Sequence, residues 1–275
     1  MKIFLTGATG FIGKNFLKLA KKKGHFIFAP SRKKIKNKDN DTKWLQGSFD
    51  SNWKKELSDS NILVHFAASG VNNNEIKNIY DVNLFKSQRL LQNAIKYNCR
   101  NWLIISSSSE YGVRIKKKLY NFSLSTQRIP DTDYGLSKAL FTDLCIKLAK
   151  KNNCKVRIMR LFPIYGIGEN KKRLYSSLLD SIKKKKNFFL KNPNETRDFT
   201  NVNFATNILI NALNFNHKKF KTYQIWHVSE NKPRKIKNFV AETCKRIKAK
   251  IKINLNNKSK SIFNHISDKN SVWKI

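Results

Sequence analysis

The chain has 275 residues and a formal net charge of +38 at pH 7. This length accommodates one domain with a substantial core and a smaller lobe. No apolar stretch approaches the ~20 residues that span a bilayer, so no transmembrane helix is expected. The sequence starts without a signal-peptide pattern, and its four cysteines are scattered without metal-ligand spacing. We therefore expect a cytoplasmic protein with no bound metal.

Short apolar runs alternate with amphipathic stretches through the first half of the chain, which is typical of repeated βα units on a parallel sheet. The predicted strands are 2–6, 25–29, 43–46, 62–66, 101–107 and 155–160, and the predicted helices are 11–23, 51–58, 76–97 and 134–152. In the last helix Leu140, Leu144 and Leu148 recur every four residues, with Phe141 and Cys145 beside them. We expect this stripe to pack on the sheet.

The pattern is looser after about residue 161. It predicts a basic helix near 173–186, a helix near 203–214, a strand over 223–228 and a helix near 235–248. We therefore divide the chain into residues 1–160 and a smaller part, 161–275, whose elements interleave with the sheet.

The apolar run over 3–5 leads directly into a glycine-rich segment over 6–13 and then a helix-like stretch. Gly7 allows a sharp turn, Gly10 lets the backbone approach a phosphate, and Gly13 lets the helix pack closely on the strand. A glycine-rich loop without a ligand is the alternative, but the order of strand, turn and helix favours a dinucleotide site. The residues that we predict to bind the cofactor here are Gly7, Thr9, Gly10, Phe11, Ile12 and Gly13.

With Thr6 ahead of it, the G-x-x-G-x-x-G spacing resembles the extended short-chain dehydrogenase/reductase superfamily, specifically the NAD-dependent epimerase/dehydratase family. Further segments match the family in order: 62–68, Asn83, 103–112, the Y-x-x-x-K pair Tyr134 and Lys138, 160–166, and 197–202. The resemblance implies an α/β fold with a Rossmann-like doubly wound parallel sheet and a small C-terminal substrate-binding lobe. It also implies an enzyme that acts on nucleotide-linked sugars.

The same resemblance implies three catalytic residues. Tyr134 exchanges a proton with a sugar oxygen, Lys138 holds the ribose of the cofactor, and Ser107 is the hydrogen-bond partner of the reacting oxygen. Tyr134 and Lys138 share one face of a helix, so we expect the ammonium and an oxidised nicotinamide to lower the pKa of Tyr134. The dehydratase branch has an acidic pair after the serine, where this chain has Ser108 and Ser109. This argues against a 4,6-dehydratase.

Cofactor choice depends on the end of the second predicted strand, which here carries Ser31 and Arg32 instead of an acidic residue. Both could bind a 2′-phosphate, so NADP is favoured over NAD. Ser48 stands where relatives use an aspartate on adenine. The other residues that the resemblance assigns to the cofactor are Phe49, Ala67, Ala68 and Asn83, and those that it assigns to the substrate are Ser108, Arg160, Pro163 and Arg197. Asn83 is also expected to stabilise the central helix and strand.

Reduction of a 4-keto group in deoxysugar synthesis is the favoured reaction, and a 4-epimerase with retained NAD is the alternative. The resemblance also implies a homodimer formed through the helices 76–97 and 134–152. A rival of another class is a nucleic-acid-binding or regulatory module on the same fold, prompted by lysine runs such as 21–23, 116–118 and 183–186. Because the lysines are spread along the chain without interleaved aromatics, we favour a solvated basic surface that attracts anionic substrates.

Overall fold

The computed structural model describes residues 1–36, 39–70, 76–112, 121–215, 220, 222–255 and 264–273. The lysine run at 116–118 and the lysines at 258 and 260 lie outside these residues. The described strands are β1 (Lys2–Thr6), β2 (Phe26–Ser31), β3 (Thr42–Gln46), β4 (Ile62–His65), β5 (Asn101–Ser107), β6 (Asn121–Phe122), β7 (Lys155–Leu161), β8 (Ile164–Tyr165), β9 (Phe188–Leu190), β10 (Thr196–Asp198), β11 (Thr200–Asn201), β12 (Tyr223–Val228), β13 (Pro233–Lys235), β14 (Ile253–Leu255) and β15 (Asn264–Ser267).

The described helices are α1 (Phe11–Lys22), α2 (Lys54–Ser58), α3 (Ile76–Tyr80), α4 (Ser87–Lys96), α5 (Asp133–Lys151), α6 (Leu174–Lys183), α7 (Val202–Asn211) and α8 (Ile236–Arg246). A π-helical turn covers Asp81–Lys86, and 3₁₀ turns cover Ser108–Tyr111 and Lys269–Ser271. Each described helix is too short or too polar to cross a bilayer. The described residues contain no cluster of three or more histidine, cysteine or acidic side chains that could hold a metal ion.

A parallel sheet of seven strands forms the centre of the molecule, in the order β12-β7-β5-β4-β1-β2-β3. The central strands β1, β4 and β5 are apolar on both faces, as parallel strands are when helices cover both sides. One apolar layer includes residues of α1 and α7, and the layer on the opposite face includes residues of α4 and α5. The predicted α/β class and Rossmann-like sheet are confirmed.

The predicted helix over 76–97 is interrupted. Its middle is the π-helical turn Asp81–Lys86, which leads directly into α4. Within this turn the Asn83 side chain is buried and holds the backbone of Ser69 through two hydrogen bonds. Single π turns are commonly found at functional sites, and periodicity in the sequence cannot distinguish them from regular helix.

The apolar stripe predicted on α5 packs on the sheet except at Leu140. Phe141, Cys145 and Ala149 are the buried residues that pack against the sheet. Leu140 is 42% exposed, and Leu144 and Leu148 are half-buried at the margin of the core. The prediction that Leu140 packs on the sheet is wrong, because the neighbouring Phe141 is the side chain that α5 buries against the sheet at this point.

The second half of the chain contributes to both parts of the molecule. Strand β12 extends the central sheet beyond β7, and α7 packs near α1. The remaining elements form a smaller lobe around a separate apolar cluster that includes Tyr165, Phe188 and Phe239. Strands β13, β10, β15 and β6 form a four-stranded sheet beside it. The division of the chain at residue 160 stays a prediction. The elements α7 and β12, from the second part, pack with α1 and the central sheet of the first part.

Arg157, in the edge-proximal strand β7, is buried beneath three aromatic rings of the C-terminal half. Its guanidinium carbon lies 4.5 to 4.7 Å from the ring centroids of Phe215, Phe220 and Trp273. The guanidinium donates hydrogen bonds to the backbone carbonyls of Ala212 and Asn214 and to the Gln224 side chain. Burial lowers the pKa of Arg157 to about 10, so it stays charged at pH 7.

We predict that Arg157→Met lowers the free energy of unfolding by about 2–4 kcal/mol, because the buried Ala212 carbonyl and the partly buried Asn214 carbonyl lose their donor. Urea unfolding followed by circular dichroism measures this. The control is Arg246→Met, which removes an exposed guanidinium and should cost less than about 0.5 kcal/mol. Equal urea midpoints for the two variants would contradict a structural role for Arg157.

Candidate active site

The carboxyl ends of the central strands meet at one edge of the sheet. Thr6 at the end of β1 is in register with His65 at the end of β4, and Ser107 at the end of β5 is in register with Leu161 of β7. In open parallel sheets, ligands bind at this edge where the strand order reverses. A cavity of about 460 Å³ lies there.

Twelve of the predicted site residues line this cavity: Gly7, Gly10, Phe11, Ile12, Gly13, Ala68, Ser107, Ser108, Tyr134, Lys138, Pro163 and Arg197. The structure thus brings together the glycine turn, the serine turn and the helix that carries the Y-x-x-x-K pair. The other predicted residues are not among the lining residues: Thr9, Ser31, Arg32, Ser48, Phe49, Ala67, Asn83 and Arg160.

Steric constraints on the glycine turn show why its residues must be small. Gly7 has φ +70°, and a Cβ there would lie 2.7 Å from the backbone nitrogen of Ala67. A Cβ on Gly13 would lie 2.1 Å from the carbonyl oxygen of Gly7. Helix α1 can therefore begin directly against the strand, with its first backbone N–H groups at the cavity and no acidic residue in its first turn. This arrangement fits the pyrophosphate of a dinucleotide.

A buried histidine holds the strands that carry this turn. The Nδ1 atom of His65 lies 2.7 Å from the Thr6 hydroxyl, and Nε2 lies 2.9 Å from the Ser87 hydroxyl on α4. Burial, followed by the charge of Lys138, lowers the pKa of His65 to about 3, so the ring is neutral. The Thr6 hydroxyl also accepts a hydrogen bond from the backbone N–H of Ala67 at 3.2 Å. Ala67 therefore supports the turn by its backbone.

The three predicted catalytic residues converge from two elements. Ser107 ends β5, and its Oγ accepts a hydrogen bond from the backbone N–H of Ser109 at 3.1 Å. Tyr134 lies in the first turn of α5, where the Thr132 side chain caps the helix. Lys138, one turn further, is buried and donates from Nζ to the carbonyl oxygen of Ile105 at 2.6 Å.

The electrostatics of this group differ from the sequence-based expectation. Burial raises the pKa of Tyr134; the Ser107 hydrogen bond and the charge of Arg173 act against this, and Glu110 adds to it. Burial thus outweighs the protein groups that lower the pKa of Tyr134. The lowering expected from the ammonium together with an oxidised nicotinamide stays a prediction for the complex with cofactor. Burial also lowers the pKa of Lys138 to about 8, and the charge of Glu110 opposes this. At pH 7 the tyrosine is neutral and the lysine is mostly charged.

The residues predicted to hold the adenosine end lie beside neighbouring strands at the same edge. Ser31 ends β2 and donates from Oγ to the carbonyl oxygen of Lys33 at 2.8 Å, and Arg32 next to it is exposed. Ser48 follows β3 and donates to Asp50. The Phe49 ring makes an edge contact with His65. Their roles toward a cofactor stay predictions.

Arg160 and Asn83 are corrected by their positions. Arg160 is 3% exposed, and its guanidinium forms an ion pair with Glu110 at 2.9 Å and donates to the Tyr111 hydroxyl at 2.8 Å. These bonds engage the guanidinium in the interior, and Arg160 is not among the residues that line the cavity. A contact of Arg160 with a substrate stays a prediction that this position does not favour. Asn83 likewise uses its amide on Ser69 and on the Ser137 hydroxyl. It supports the loop after β4 and does not contact the cavity.

Arg197 is the predicted substrate residue that does reach the cavity. It lies on β10, beside His265 on β15, and forms an ion pair with Glu195 at 2.7 Å. Its side chain is 40% exposed, so part of the guanidinium faces the open cavity. This position fits the proposed contact with a phosphate or sugar oxygen.

Several lining residues were not predicted from the sequence, including Asn170, Arg173 and His265. Arg173 precedes α6, and its guanidinium lies 3.5 Å from Glu169 and 3.3 Å from the carbonyl oxygen of Ile164. The Nε2 atom of His265 lies 3.3 Å from the carbonyl oxygen of Ser108. No local spacing marks these residues, because they reach the cavity from the lobe.

Comparisons with known proteins agree with this geometry. The model of the NAD dependent epimerase/dehydratase family matches residues 3–225. The chain is 27% identical over 246 residues to CDP-abequose synthase of Salmonella typhimurium, covering 86% of this chain and 78% of that protein. It is 30% identical over 217 residues to GDP-6-deoxy-D-talose 4-dehydrogenase of Aggregatibacter actinomycetemcomitans, covering 76% and 69%.

Among solved structures, UDP-glucuronic acid 4-epimerase of Bacillus cereus, in complex with UDP-glucuronic acid and NAD, superposes with a TM-score of 0.83. The identity is 20%, and the match covers 98% of this chain and 91% of that chain. This likeness shows a shared fold. The family match covers most of the sequence. The chain therefore belongs to the NAD-dependent epimerase/dehydratase family, enzymes of the extended short-chain dehydrogenase/reductase superfamily.

Proposed function

We propose that this protein is an NADP-dependent oxidoreductase that reduces the 4-keto group of a nucleotide-linked deoxysugar. The observation that carries the proposal is the convergence of Ser107, Tyr134 and Lys138 with the glycine turn on one cavity. The nucleotide sugar is anionic, and Arg197 and Arg173 line the cavity on the side of the lobe. The strongly basic surface helps to attract such a substrate.

The proton chemistry follows from the two hydroxyl groups. Ser107 and Tyr134 bind the ketone oxygen, and Tyr134 donates the proton that this oxygen needs on reduction. A tyrosine whose pKa is raised is neutral at pH 7 and therefore holds this proton. Lys138 also lines the cavity, and its ammonium would supply positive charge beside the pair and hold the ribose of the cofactor. A bound nicotinamide dinucleotide would supply hydride transfer.

Dehydration is disfavoured by the composition of the cavity. Its lining residues in the described part of the chain include no aspartate or glutamate. Ser108 and Ser109 follow Ser107, and Glu110 is turned into the interior toward Arg160. Elimination of water from the sugar needs an acid and a base at the reacting carbons. The name of one relative, a GDP-6-deoxy-D-talose 4-dehydrogenase, supports redox chemistry at the same carbon.

A nucleotide-sugar 4-epimerase is the second candidate. It is supported by the likeness to UDP-glucuronic acid 4-epimerase, whose structure contains NAD, and by the match to a UDP-glucose 4-epimerase of Vibrio cholerae, 29% identical over 191 residues. The same three residues serve both reactions. An epimerase regenerates its cofactor within each turnover and therefore retains it, whereas a reductase exchanges it.

The first test is mass spectrometry of nucleotides released on denaturation, followed by NADPH oxidation assays with a panel of nucleotide-linked 4-keto sugars. For the active substrate, Tyr134→Phe should lower kcat by about 100- to 10,000-fold, because the proton donor is lost. NADPH affinity, measured by fluorescence titration, should change by less than about twofold.

Stoichiometric retained NAD with interconversion of sugar epimers would replace the reductase by the epimerase. Full turnover in Tyr134→Phe would overturn the assigned mechanism for both. If neither dinucleotide binds, the rival interpretation of a nucleic-acid-binding module should be tested with RNA.

We also propose that the protein is cytoplasmic, a setting suited to four buried cysteines that are free thiols.

NADP preference is a further part of the proposal, based on Arg32 at the end of β2. The expected change in Arg32→Asp is an increase of about tenfold or more in KM for NADPH, with a decrease for NADH, because a carboxylate repels the 2′-phosphate and accepts bonds from ribose hydroxyls. Lys34→Asp is the control, since it makes the same charge change at an exposed residue nearby. If both variants show the same KM values, Arg32 does not select the cofactor.

We further propose a homodimer through the outer face of the helices around α5. Phe85, Leu136 and Leu140 are 54%, 40% and 42% exposed on the π turn and α5. Leu136 and Leu140 are one helical turn apart, and the π turn that carries Phe85 packs against α5. Exposed apolar side chains of this size are typical of interfaces, and a two-fold axis would pair the same helices.

Leu140→Asp should convert the dimer into a monomer in analytical ultracentrifugation, because the dimer would bury two carboxylates. The control is Leu255→Asp, which changes an apolar side chain in the lobe that is 46% exposed and should leave the sedimentation coefficient unchanged. A monomeric wild-type protein at micromolar concentration would refute the dimer.

A further inference from the structure

A carboxylate that the proposed chemistry does not use lies directly behind the serine turn. Glu110 is fully buried within the 3₁₀ turn Ser108–Tyr111. One of its oxygens accepts hydrogen bonds from the hydroxyls of Ser106 and Thr142, the latter at 2.7 Å. The other oxygen accepts from Arg160 Nε at 3.1 Å and from Arg128 Nη1 at 3.2 Å. Such a carboxylate is fixed in place by four donors.

Two independent contacts place this carboxylate next to Lys138. On α5, Thr142 is one turn beyond Lys138 on the same face, and it touches Glu110. On β5, the Lys138 ammonium is bonded to the carbonyl of Ile105, and the following residue, Ser106, donates to Glu110. The ammonium and the carboxylate therefore flank the end of the same strand within the closed sheet–helix interface.

We propose that Glu110 is a positioning residue for the catalytic pair: its buried carboxylate supplies the negative charge that keeps the Lys138 ammonium protonated and directed toward the end of β5. This inference deepens the proposed function and rests on it for its catalytic consequence. An ammonium removed from water loses its proton readily unless an anion is near. Lys138 is 4% exposed, so its ammonium is such a buried group and needs a nearby anion.

Other groups around Lys138 do not supply this charge. Burial raises the pKa of the neighbouring Cys145 thiol well above its usual range, so the thiol stays neutral. His65 is also neutral, because burial lowers its pKa to about 3. Tyr134 is protonated, since burial raises its pKa. Among the described residues whose charges act on the pKa of Lys138, Glu110 is thus the remaining acidic group.

Because two arginines pair with Glu110, single substitutions can make the surroundings of Lys138 either more positive or more negative. Arg160 is buried with Glu110, whereas Arg128 is 28% exposed and also pairs with Asp143 at the surface. Removal of the Glu110 charge makes the surroundings of Lys138 more positive. Removal of the Arg128 charge leaves the carboxylate less neutralised and makes these surroundings more negative. The two substitutions therefore have opposite effects on the pKa of Lys138.

The test is the pH titration of Lys138 by NMR of ¹³C-labelled lysine in the full-length protein, with its signal assigned from Lys138→Met. In Glu110→Gln the midpoint should fall by about 0.5 to 1 pH unit below the wild-type value near 8. In Arg128→Met it should rise. Asp143→Asn makes the same carboxylate-to-amide change at an exposed position of α5, and should move the midpoint by less than about 0.2 unit.

The second readout is the pH dependence of kcat, measured with the substrate that the panel of nucleotide-linked 4-keto sugars identifies. The alkaline limb of the kcat profile should move to lower pH in Glu110→Gln and to higher pH in Arg128→Met, because protonated Lys138 is lost at lower or higher pH, respectively. A purely structural role for Glu110 would lower the melting temperature or kcat without moving either midpoint, and this result would overturn the proposal.

If Glu110→Gln does not fold, Arg128→Met decides the question: an unchanged or lowered Lys138 midpoint refutes the proposal. The NMR titration needs no substrate, so it remains decisive if the proposed reaction is wrong. If the Lys138 midpoints shift as expected but the protein reduces no 4-keto sugar, the proposed function is rejected and the positioning role of Glu110 stands.

Discussion

A single buried charge, the ammonium of Lys138, is the constraint on which the candidate site depends. The Y-x-x-x-K pair requires this lysine one helical turn from Tyr134, and the packing of α5 on the sheet then removes it from water. An unpartnered ammonium in that position would be very costly. The fold supplies the carbonyl of Ile105 as an acceptor and the Glu110 carboxylate as a counter-charge.

The partners of that counter-charge tie distant parts of the chain to the site. Arg160 of β7 pairs with Glu110 and also donates to Tyr111. The Tyr111 hydroxyl lies 2.7 Å from Nε2 of His227 on β12, and Nδ1 of His227 lies 2.9 Å from the Ser267 hydroxyl on β15. A continuous polar network thus runs from the serine turn to the strand that carries His265. Such a buried network fixes the lobe relative to the sheet, because each group would lose a partner if the lobe moved.

Local sequence patterns predicted well what local geometry decides. The glycine spacing identified the turn because Gly7 and Gly13 leave no room for a Cβ. The Tyr134 and Lys138 spacing identified the helix that faces the cavity, and the alternation of apolar runs identified the parallel sheet. The patterns predicted less well the role of a side chain whose partners come from distant parts of the chain. Arg160 matched a substrate-binding segment, yet Glu110 and Tyr111 engage it in the interior. The raised pKa of Tyr134 also reflects burial, which spacing does not reveal.

The sequence by itself determined the chain order of the strands and helices of the central sheet and the position of the glycine turn, because each depends on neighbours within a few positions of the chain. The resemblance to the family then pointed to Ser107, Tyr134 and Lys138. Only the tertiary structure decided which face of α5 is buried, where the guanidinium of Arg160 is used, and that Arg173 and His265 reach the cavity from the lobe. These features depend on residues far apart in sequence: the first two on how α5 and the turn with Glu110 pack on the sheet, and the last on how the lobe meets the sheet. Their charges and hydrogen bonds are set by burial, which exists only once the chain has folded.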